Sequence, residues 1–219
     1  MRGLRLTDVH EVAVLGAHCD DIAIGAGGTL LSLCRGVPGL RVTAMVLSGG
    51  DTGREVEEKA ALTAFCPGAR LDLRVLRLPD GRVPAHWSVA KDELERLRHD
   101  CDPDLVVGPA PHDRHQDHRT LARLMPTVFR DHLILGYEIL KWDADLAQPS
   151  VYLPMTESVA KAKAELLVEH YPSQRSRSWF RTETFLALAT VRGVQCGSTH
   201  AEAFFTNKIV VEGIDSCEF

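Results

Sequence analysis

Two short clusters of histidine and aspartate residues are the part of this 219-residue chain whose residue types and spacing can do chemistry. The first occupies residues 17–21, Ala-His-Cys-Asp-Asp, and the second occupies residues 115–118, His-Gln-Asp-His. Imidazole nitrogens and carboxylate oxygens together form a ligand set for which zinc is the commonest metal. The two clusters therefore indicate a hydrolytic metalloenzyme.

Each cluster follows a short apolar run that is typical of a buried parallel strand. Residues 12–16 precede the first cluster, and residues 105–108 precede the second. The carboxyl ends of parallel strands lie at one edge of an open α/β sheet, which is where such sheets place their ligand crevices. We therefore expect the fold to bring the two clusters together at that edge.

Three protein ligands with one open position make up a catalytic zinc site. We assign His18, Asp21 and His118 as the ligands, with water in the open position, where zinc lowers its pKa to about 7. Asp20 would act as general base on that water. His115, if protonated, would stabilise the tetrahedral oxyanion or protonate the leaving amine.

Asp117 is suited to orient one of the histidines from outside the ligand set. Simpler interpretations stay open, because the aspartates at 20 and 21 could cap a helix and residues 115–118 could be a polar helix start. The matching residue types at two strand ends favour the metal site. Cys19 lies between His18 and Asp20 and is expected to be a packed thiol, with contact to the metal as the less favoured alternative.

The composition excludes several classes of protein. The formal net charge of −5 argues against a nucleic-acid binder, which normally presents a basic face. No apolar stretch approaches the roughly 20 residues that cross a bilayer, and no hydrophobic signal core follows the basic N-terminus. The six cysteines form no Cys-x-x-Cys pair and are typical of reduced thiols. We expect a cytoplasmic enzyme.

Strand and helix patterns alternate along the chain, which predicts an α/β fold with a mostly parallel sheet and helices on both faces. We expect one domain, 1–219, with a core over 1–140 and a C-terminal segment over 141–219 that caps or walls the site. Pro126 should kink or split a helix. Strands are predicted at 12–17, 41–47, 71–76, 104–107, 132–137, 151–153 and 208–211, and helices at 29–35, 55–65, 89–98, 119–130, 157–170 and after 172.

Residues 25–29, Gly-Ala-Gly-Gly-Thr, invite a second interpretation as a dinucleotide-binding loop. The dinucleotide fingerprint needs its glycines directly after the strand. Here residues 17–21 occupy that turn, and the glycine spacing differs. We interpret the glycines as permitting close packing of a helix against the sheet.

The two clusters resemble the motifs of the LmbE-like, PIG-L-type zinc-dependent N-deacetylase family, which run Ala-His-Pro-Asp-Asp-Glu and His-Pro-Asp-His. The resemblance covers residues 11–175. Three positions depart from the family pattern, because Cys19, Ile22 and Gln116 replace its usual Pro, Glu and Pro. No departure removes a proposed ligand or base. Further similar stretches are residues 27–30, 54–57 and 78–81, together with Lys163, His170, Ser173 and Gln174.

This resemblance implies a Rossmann-like fold and zinc-dependent removal of an acyl group, usually acetyl, from an amino sugar or its glycoside. It supports the assigned ligands and base, and it places Arg54 and Asp80 where the family holds sugar hydroxyls. Iron, cobalt or manganese are alternatives to zinc. Candidate aromatic walls of a sugar pocket are Trp87, Tyr137, Trp142, Tyr171 and Trp179.

Two other functions stay open at this point. One is a metal-dependent amidase that acts on a non-sugar acyl amine, and the other is a catalytically silent module that binds a sugar or a nucleotide. In each case the expected partner is a small molecule. The sequence leaves the oligomeric state open, a homo-oligomer included.

Overall fold

A computed structural model describes residue 3 and residues 6–211 of the chain. Cys217 and most of the basic N-terminal segment lie outside the described residues. The strands are β1 Glu11–Gly16, β2 Arg41–Val46, β3 Arg70–Val75, β4 Leu105–Pro109, β5 Leu133–Tyr137, β6 Val151–Met155 and β7 His200–Phe205. The helices are α1 Asp21–Gly36, α2 Gly53–Phe65, α3 Trp87–Asp100, α4 Gln116–Val128, α5 Glu157–His170 and α6 Thr182–Cys196.

The strands form a single sheet in the order β3-β2-β1-β4-β5-β7-β6. The first five strands in this order are parallel, and β7 and β6 add an antiparallel edge. The predicted α/β fold with a mostly parallel sheet is therefore confirmed. The strand order reverses between β1 and β4, and a ligand crevice opens at such a point.

Alternate residues of β1 enter separate cores on the two faces of the sheet, because side chains along a strand point in opposite directions. Val12 and Val14 belong to a core that also contains residues of α1, α2, α5 and α6. Ala13 and Leu15 belong to a second core, which contains residues of α3 and α4. The predicted helices on both faces are confirmed. Within the described residues, no helix combines the length and the apolar character that crossing a bilayer requires.

The glycines at 25–29 lie inside α1, where they allow close contact with neighbouring elements. A Cβ added to Gly27 would lie 2.7 Å from the ring of Phe65, and one added to Gly28 would lie 2.9 Å from Met155 Sδ. Real Cβ atoms essentially never come this close to another heavy atom, so a larger residue at Gly27 would have to displace the buried ring of Phe65, whereas at Gly28 the flexible end of Met155 would have to move. The packing interpretation is confirmed.

A buried ion pair ties the last strand to the first helix. Glu202 of β7 accepts hydrogen bonds from the amides of Gly28 and Thr29, at 2.8 and 2.7 Å, and from Thr29 Oγ1 at 2.6 Å. Lys163 Nζ lies 2.6 Å from Glu202 Oε1 and donates to the carbonyl of Ile24 at 2.6 Å. Both charged side chains are buried. The middle of α1, the helix that begins at Asp21 of the first cluster, is therefore held from the far end of the chain.

One predicted strand is wrong, and so is one of the two effects predicted for Pro126, a split helix. Residues 208–211 are not a strand, because this apolar run has no neighbouring strand to pair with, and Val210 is 78% exposed. The last strand is β7, which pairs with β5 and β6. Pro126 does not split its helix, because it lies in the last turn of α4, where the helix ends two residues later.

We expect Glu202→Ala to lower the free energy of unfolding by about 3–5 kcal/mol, because it leaves the buried Lys163 ammonium without its carboxylate. Urea unfolding followed by circular dichroism measures the change. Glu95→Ala is the matched control, since Glu95 pairs with Lys91 on the exposed face of α3, where an ion pair contributes little. Equal stability of the two variants would contradict the prediction.

Candidate metal centre

The carboxyl ends of β1 and β4 bring the two histidine and aspartate clusters together, because these strands are parallel neighbours. His18 lies two residues after β1, and His118 lies in the first turn of α4. The ring centroids of His18 and His118 are 5.1 Å apart, and those of His18 and His115 are 4.6 Å apart. The predicted convergence of the two clusters is confirmed.

The turn after β1 has an unusual backbone. Asp20 lies in the left-handed region, at φ 118° and ψ −26°, which costs a residue other than glycine about 1–3 kcal/mol. Its side chain makes no capping hydrogen bond to α1. Asp21 Oδ2 instead accepts from the amides of Ala17 and His18, at 3.0 and 2.9 Å. The turn therefore fixes Asp21 and leaves the Asp20 carboxylate free of any capping role.

Three donor atoms of the predicted ligands lie close together. His18 Nδ1 is 3.1 Å from His118 Nε2 and 3.4 Å from Asp21 Oδ2, and His118 Nε2 is 3.2 Å from Asp21 Oδ2. In a tetrahedral zinc site with bonds of about 2.0–2.2 Å, the donors are about 3.3–3.5 Å apart. The donor set therefore fits a zinc ion in both residue type and spacing.

Wider groupings of possible ligands share His18. One joins it with His115 and His118, and another joins it with Asp80, His115 and Asp117, all with ligand atoms within 4.8 Å of one another. We favour the set that contains Asp21, because its three donor atoms lie within 3.4 Å of one another and Asp21 is almost fully buried. His115 then lies beside the metal position without binding it.

Two buried aspartates contact the histidines on the side away from these donors. Asp117 Oδ2 lies 3.2 Å from His18 Nε2, and the Asp117 carboxylate accepts two backbone amides from residues 81–83. Asp113 Oδ2 lies 2.8 Å from His118 Nδ1. A carboxylate in this position fixes the tautomer and orientation of a metal-binding histidine. Each proposed histidine ligand has such a partner.

Sequence reasoning missed two residues of the site, Asp113 and Lys141. Lys141 Nζ lies 2.9 Å from Asp113 Oδ1 and 2.9 Å from Asp145 Oδ2. Asp113 stands two residues before His115, so its nearness to the second cluster was a usable signal. Lys141 follows β5, and only the pairing of β4 with β5 brings it to the site.

Carboxylates dominate the electrostatics of the site. Burial lowers the pKa of His18, but Asp21 and Asp117 outweigh burial and raise that pKa to about 12. Asp21 and Asp113 likewise outweigh burial and raise the pKa of His118 to about 9. Burial and the carboxylate of Asp21 raise the pKa of Asp20 to about 7. The site therefore favours positive charge, which a divalent cation would supply.

His115 differs in charge from its neighbours. Burial and the imidazoles of His118 and His18 lower its pKa. Its Nδ1 accepts the amide of Asp117 at 3.3 Å, and its own amide donates to Asp113 Oδ1 at 2.7 Å. A neutral His115 with an accepting Nδ1 carries its proton on Nε2. The structure therefore presents His115 as a neutral donor and not as the protonated imidazolium on which its predicted role depended.

A cavity of about 560 Å³ opens above the two clusters. Of the five aromatic candidates for its wall, Trp142 and Trp179 line the cavity, and Trp142 is 71% exposed. Tyr137 and Tyr171 do not, because both are fully buried in the core, where their hydroxyls donate to Leu15 O and Glu58 Oε2. Trp87 lies outside the cavity lining.

Arg54 and Asp80 both line this cavity. Asp80 Oδ1 lies 3.1 Å from His18 Nε2, and its side chain is 79% exposed. The Arg54 guanidinium lies 3.0 Å from Asp20 Oδ2 and 2.8 Å from Glu57 Oε2, and it donates to the carbonyl of Cys19. Arg54 is thus already bonded to the turn after β1. That either residue contacts a sugar hydroxyl stays a prediction.

Cys19 is a packed thiol, as expected. It is 2% exposed, and its Sγ donates to the carbonyl of Ser48 at 3.5 Å. Burial raises the pKa of the Cys19 thiol, which disfavours the thiolate that a metal ligand requires.

The family model described as PIG-L, GlcNAc-PI de-N-acetylase, matches residues 13–129, more than half of the chain. The chain belongs to the PIG-L family. The match spans both histidine and aspartate clusters of this PIG-L protein, and it confirms the family that their motifs resemble.

Several solved structures share the PIG-L fold seen here. The N,N'-diacetylchitobiose deacetylase from Pyrococcus horikoshii is 21% identical with a TM-score of 0.68, over 91% of this chain and 84% of that one. The zinc-inhibited form of teicoplanin deacetylase is 17% identical with a TM-score of 0.68, over 94% and 100%. A 4-carboxy-2-hydroxymuconate hydratase from Pseudomonas putida is 17% identical with a TM-score of 0.69, over 93% and 99%. These likenesses establish the fold, and the hydratase illustrates that one fold hosts different reactions.

We expect Asp113→Ala to weaken zinc binding by about 10- to 100-fold, because His118 loses the carboxylate that orients it. His18→Ala should abolish stoichiometric zinc binding, because it removes a donor atom. Competition with a chromophoric chelator measures both variants. Asp100→Ala is the control, since Asp100 pairs with Arg74 away from the site. Wild-type zinc affinity in His18→Ala would refute the ligand set.

Proposed function

We propose that this PIG-L family member is a zinc-dependent hydrolase that removes an N-acyl group, most simply acetyl, from an amino sugar or a glycoside that contains one. The family membership supports the class of reaction. The observation that carries the proposal is the convergence of His18, Asp21 and His118 on one point beside the carboxylate of Asp20. The named activities of the deacetylases with this fold are consistent with it.

Asp21, His18 and His118 would hold the metal, with Asp117 and Asp113 keeping the two imidazoles in place. When bound, zinc polarises the acyl carbonyl and lowers the pKa of a neighbouring water. Iron, cobalt and manganese suit the same nitrogen and oxygen donors, so the experiments below compare metals directly.

Asp20 would accept the proton of the water that attacks the acyl carbon. Burial and the adjacent Asp21 raise the pKa of Asp20 to about 7, which suits proton transfer at neutral pH. Breaking the C–N bond requires a proton on the departing nitrogen, and Asp20 returns the one that it has accepted. Asp20 thus serves the reaction first as base and then as acid.

His115 would stabilise the negative charge that develops on the acyl oxygen. Its Nδ1 is occupied by the amide of Asp117, so the proton is available on Nε2 for a hydrogen bond to that oxygen. A neutral donor serves this role because it is already in position when the charge appears.

The substrate would occupy the cavity of about 560 Å³ above these residues, which is within the range of small-molecule sites. Arg54, Asp80, Trp142 and Trp179 are among the residues that line it. The flat, apolar face of an indole suits the C–H surface of a sugar ring. These contacts favour a sugar-containing amide over a purely aliphatic one.

We expect Asp20→Asn to lower kcat by about 10²- to 10⁴-fold, since an amide cannot accept the proton. Zinc content should stay near wild type, because Asp20 is outside the donor set. Steady-state kinetics combined with metal analysis of the same preparation tests both statements. Full activity in the variant would exclude Asp20 as the base.

We expect Trp142→Ala to raise KM by about 3- to 10-fold with little change in kcat, because a stacking contact is worth on the order of 1 kcal/mol and lies away from the reacting bond. Trp87→Ala is the matched control, because Trp87 is 43% exposed but lies outside the cavity lining. The same KM in both variants would show that Trp142 does not contact the substrate.

The decisive experiment measures acetate release from N-acetylglucosaminyl compounds in free, nucleotide-linked, lipid-linked and glycosidic form, beside non-sugar acetamides. Each assay is run with the purified protein, with a chelator, and after adding back zinc, iron(II), cobalt or manganese. Release from a sugar amide that stops with chelator and returns with metal supports the proposal. Release only from non-sugar amides, or from no compound with metal bound, refutes it.

A further inference from the structure

Glu58 is a fully buried carboxylate in the middle of α2, beside the candidate metal centre. Its Oε2 accepts the amide of Asp20 at 2.9 Å and the hydroxyl of Tyr171 at 2.7 Å. Its Oε1 is buried and has no hydrogen-bond partner among the described residues. Burying a carboxyl group with one of its oxygens unpaired is unfavourable. Stability therefore does not explain this group, and its contacts point instead to the peptide that it holds.

The partner of Glu58 is the strained peptide of the first cluster. The Asp20 amide belongs to the same peptide unit as the Cys19 carbonyl, and Arg54 of α2 donates to that carbonyl. Arg54 and Glu58 are four residues apart, so they lie on the same face of the helix. One helix therefore binds both polar atoms of a single peptide plane through two side chains.

Fixing this plane fixes the direction of the Asp20 side chain. Asp20 is in the left-handed region at φ 118°, and a residue other than glycine persists there only when its surroundings hold it. Its side chain makes no capping bond that would do so. Ile22, the second residue of α1, is fully buried and apolar and offers the Asp20 amide no acceptor.

Tyr171 completes the arrangement. It is fully buried at the C-terminal end of α5, and its hydroxyl donates to the same Glu58 oxygen that accepts the Asp20 amide. This hydrogen bond holds the carboxylate between α2 and α5. The position of Asp20 is thus set by helices that follow it in sequence by about forty and one hundred and fifty residues.

We propose that Glu58 is a positioning residue. It holds the Cys19–Asp20 peptide so that Asp20 keeps its left-handed conformation and its carboxylate faces the site of reaction. This inference rests on the proposed function only in taking Asp20 as the proton acceptor. Glu58 is neither a member of the donor set nor one of the residues that line the cavity, so it acts through Asp20, whose amide it accepts.

The test compares Glu58→Leu, which removes the acceptor, with Glu58→Gln, whose carbonyl oxygen can accept the same two hydrogen bonds. We expect Glu58→Leu to lower kcat by about 10- to 100-fold, as misplacement of a catalytic group does, with KM and zinc content within about twofold of wild type. Glu58→Gln should restore most of kcat. Leu62→Ala is the matched control for stability, because Leu62 is a fully buried residue of the same helix.

The amide of Asp20 gives a second measurement that does not depend on turnover. Its hydrogen exchange should be faster in Glu58→Leu by on the order of tenfold, and close to wild type in Glu58→Gln and Leu62→Ala. Wild-type kcat in Glu58→Leu, equal losses in the Leu and Gln variants, or a loss that follows zinc content would each overturn the positioning role. If the wild-type protein hydrolyses no amide, the proposed function fails, and the exchange measurement alone then decides whether Glu58 holds the peptide.

Discussion

Negative charge gathered at one edge of the sheet is the constraint on which the rest of the structure depends. Five aspartates surround the imidazoles of His18 and His118. Four of them, Asp20, Asp21, Asp113 and Asp117, are buried, and Asp80 is exposed. Buried carboxylates are tolerated only with a cation or with donors around them. The neighbouring elements supply these, since α2 provides Arg54, the segment after β5 provides Lys141, and backbone amides serve Asp21 and Asp117. A divalent ion would compensate the charge that is left.

Much of this arrangement could be predicted from the sequence, because its signals are local. Six predicted strands coincide with observed ones to within two residues, since each is a short apolar run bounded by turns. The meeting of the two histidine and aspartate clusters followed from their places after β1 and β4. The glycines of α1 were correctly interpreted as packing positions. Local pattern and parallel-sheet geometry together were enough to locate the site.

What could not be predicted depends on contacts between distant segments. Strand β7 contains Glu202, and a charge inside a strand argues against burial until its partners Lys163 and Thr29 are known. The run at 208–211 has a more apolar, strand-like pattern than β7, but no strand lies beside it to pair with. Likewise, Glu58 looks like one of many surface charges on α2, and nothing near it in the sequence reveals that it faces Tyr171. Asp113 could have been predicted from the sequence, because it lies two residues before the second cluster.

The link between Glu202 and α1 has a consequence for how the molecule is made. Glu202 lies 174 residues after Gly28, the amide that it binds. Contacts of such long sequence separation form late and slow folding, because a long loop must close before they add any stability. During synthesis, α1 therefore cannot form its contact with Glu202 until almost the whole chain has left the ribosome. A truncated or stalled chain would display both histidine and aspartate clusters without the support that holds them, so the competent site is a property of the finished polypeptide.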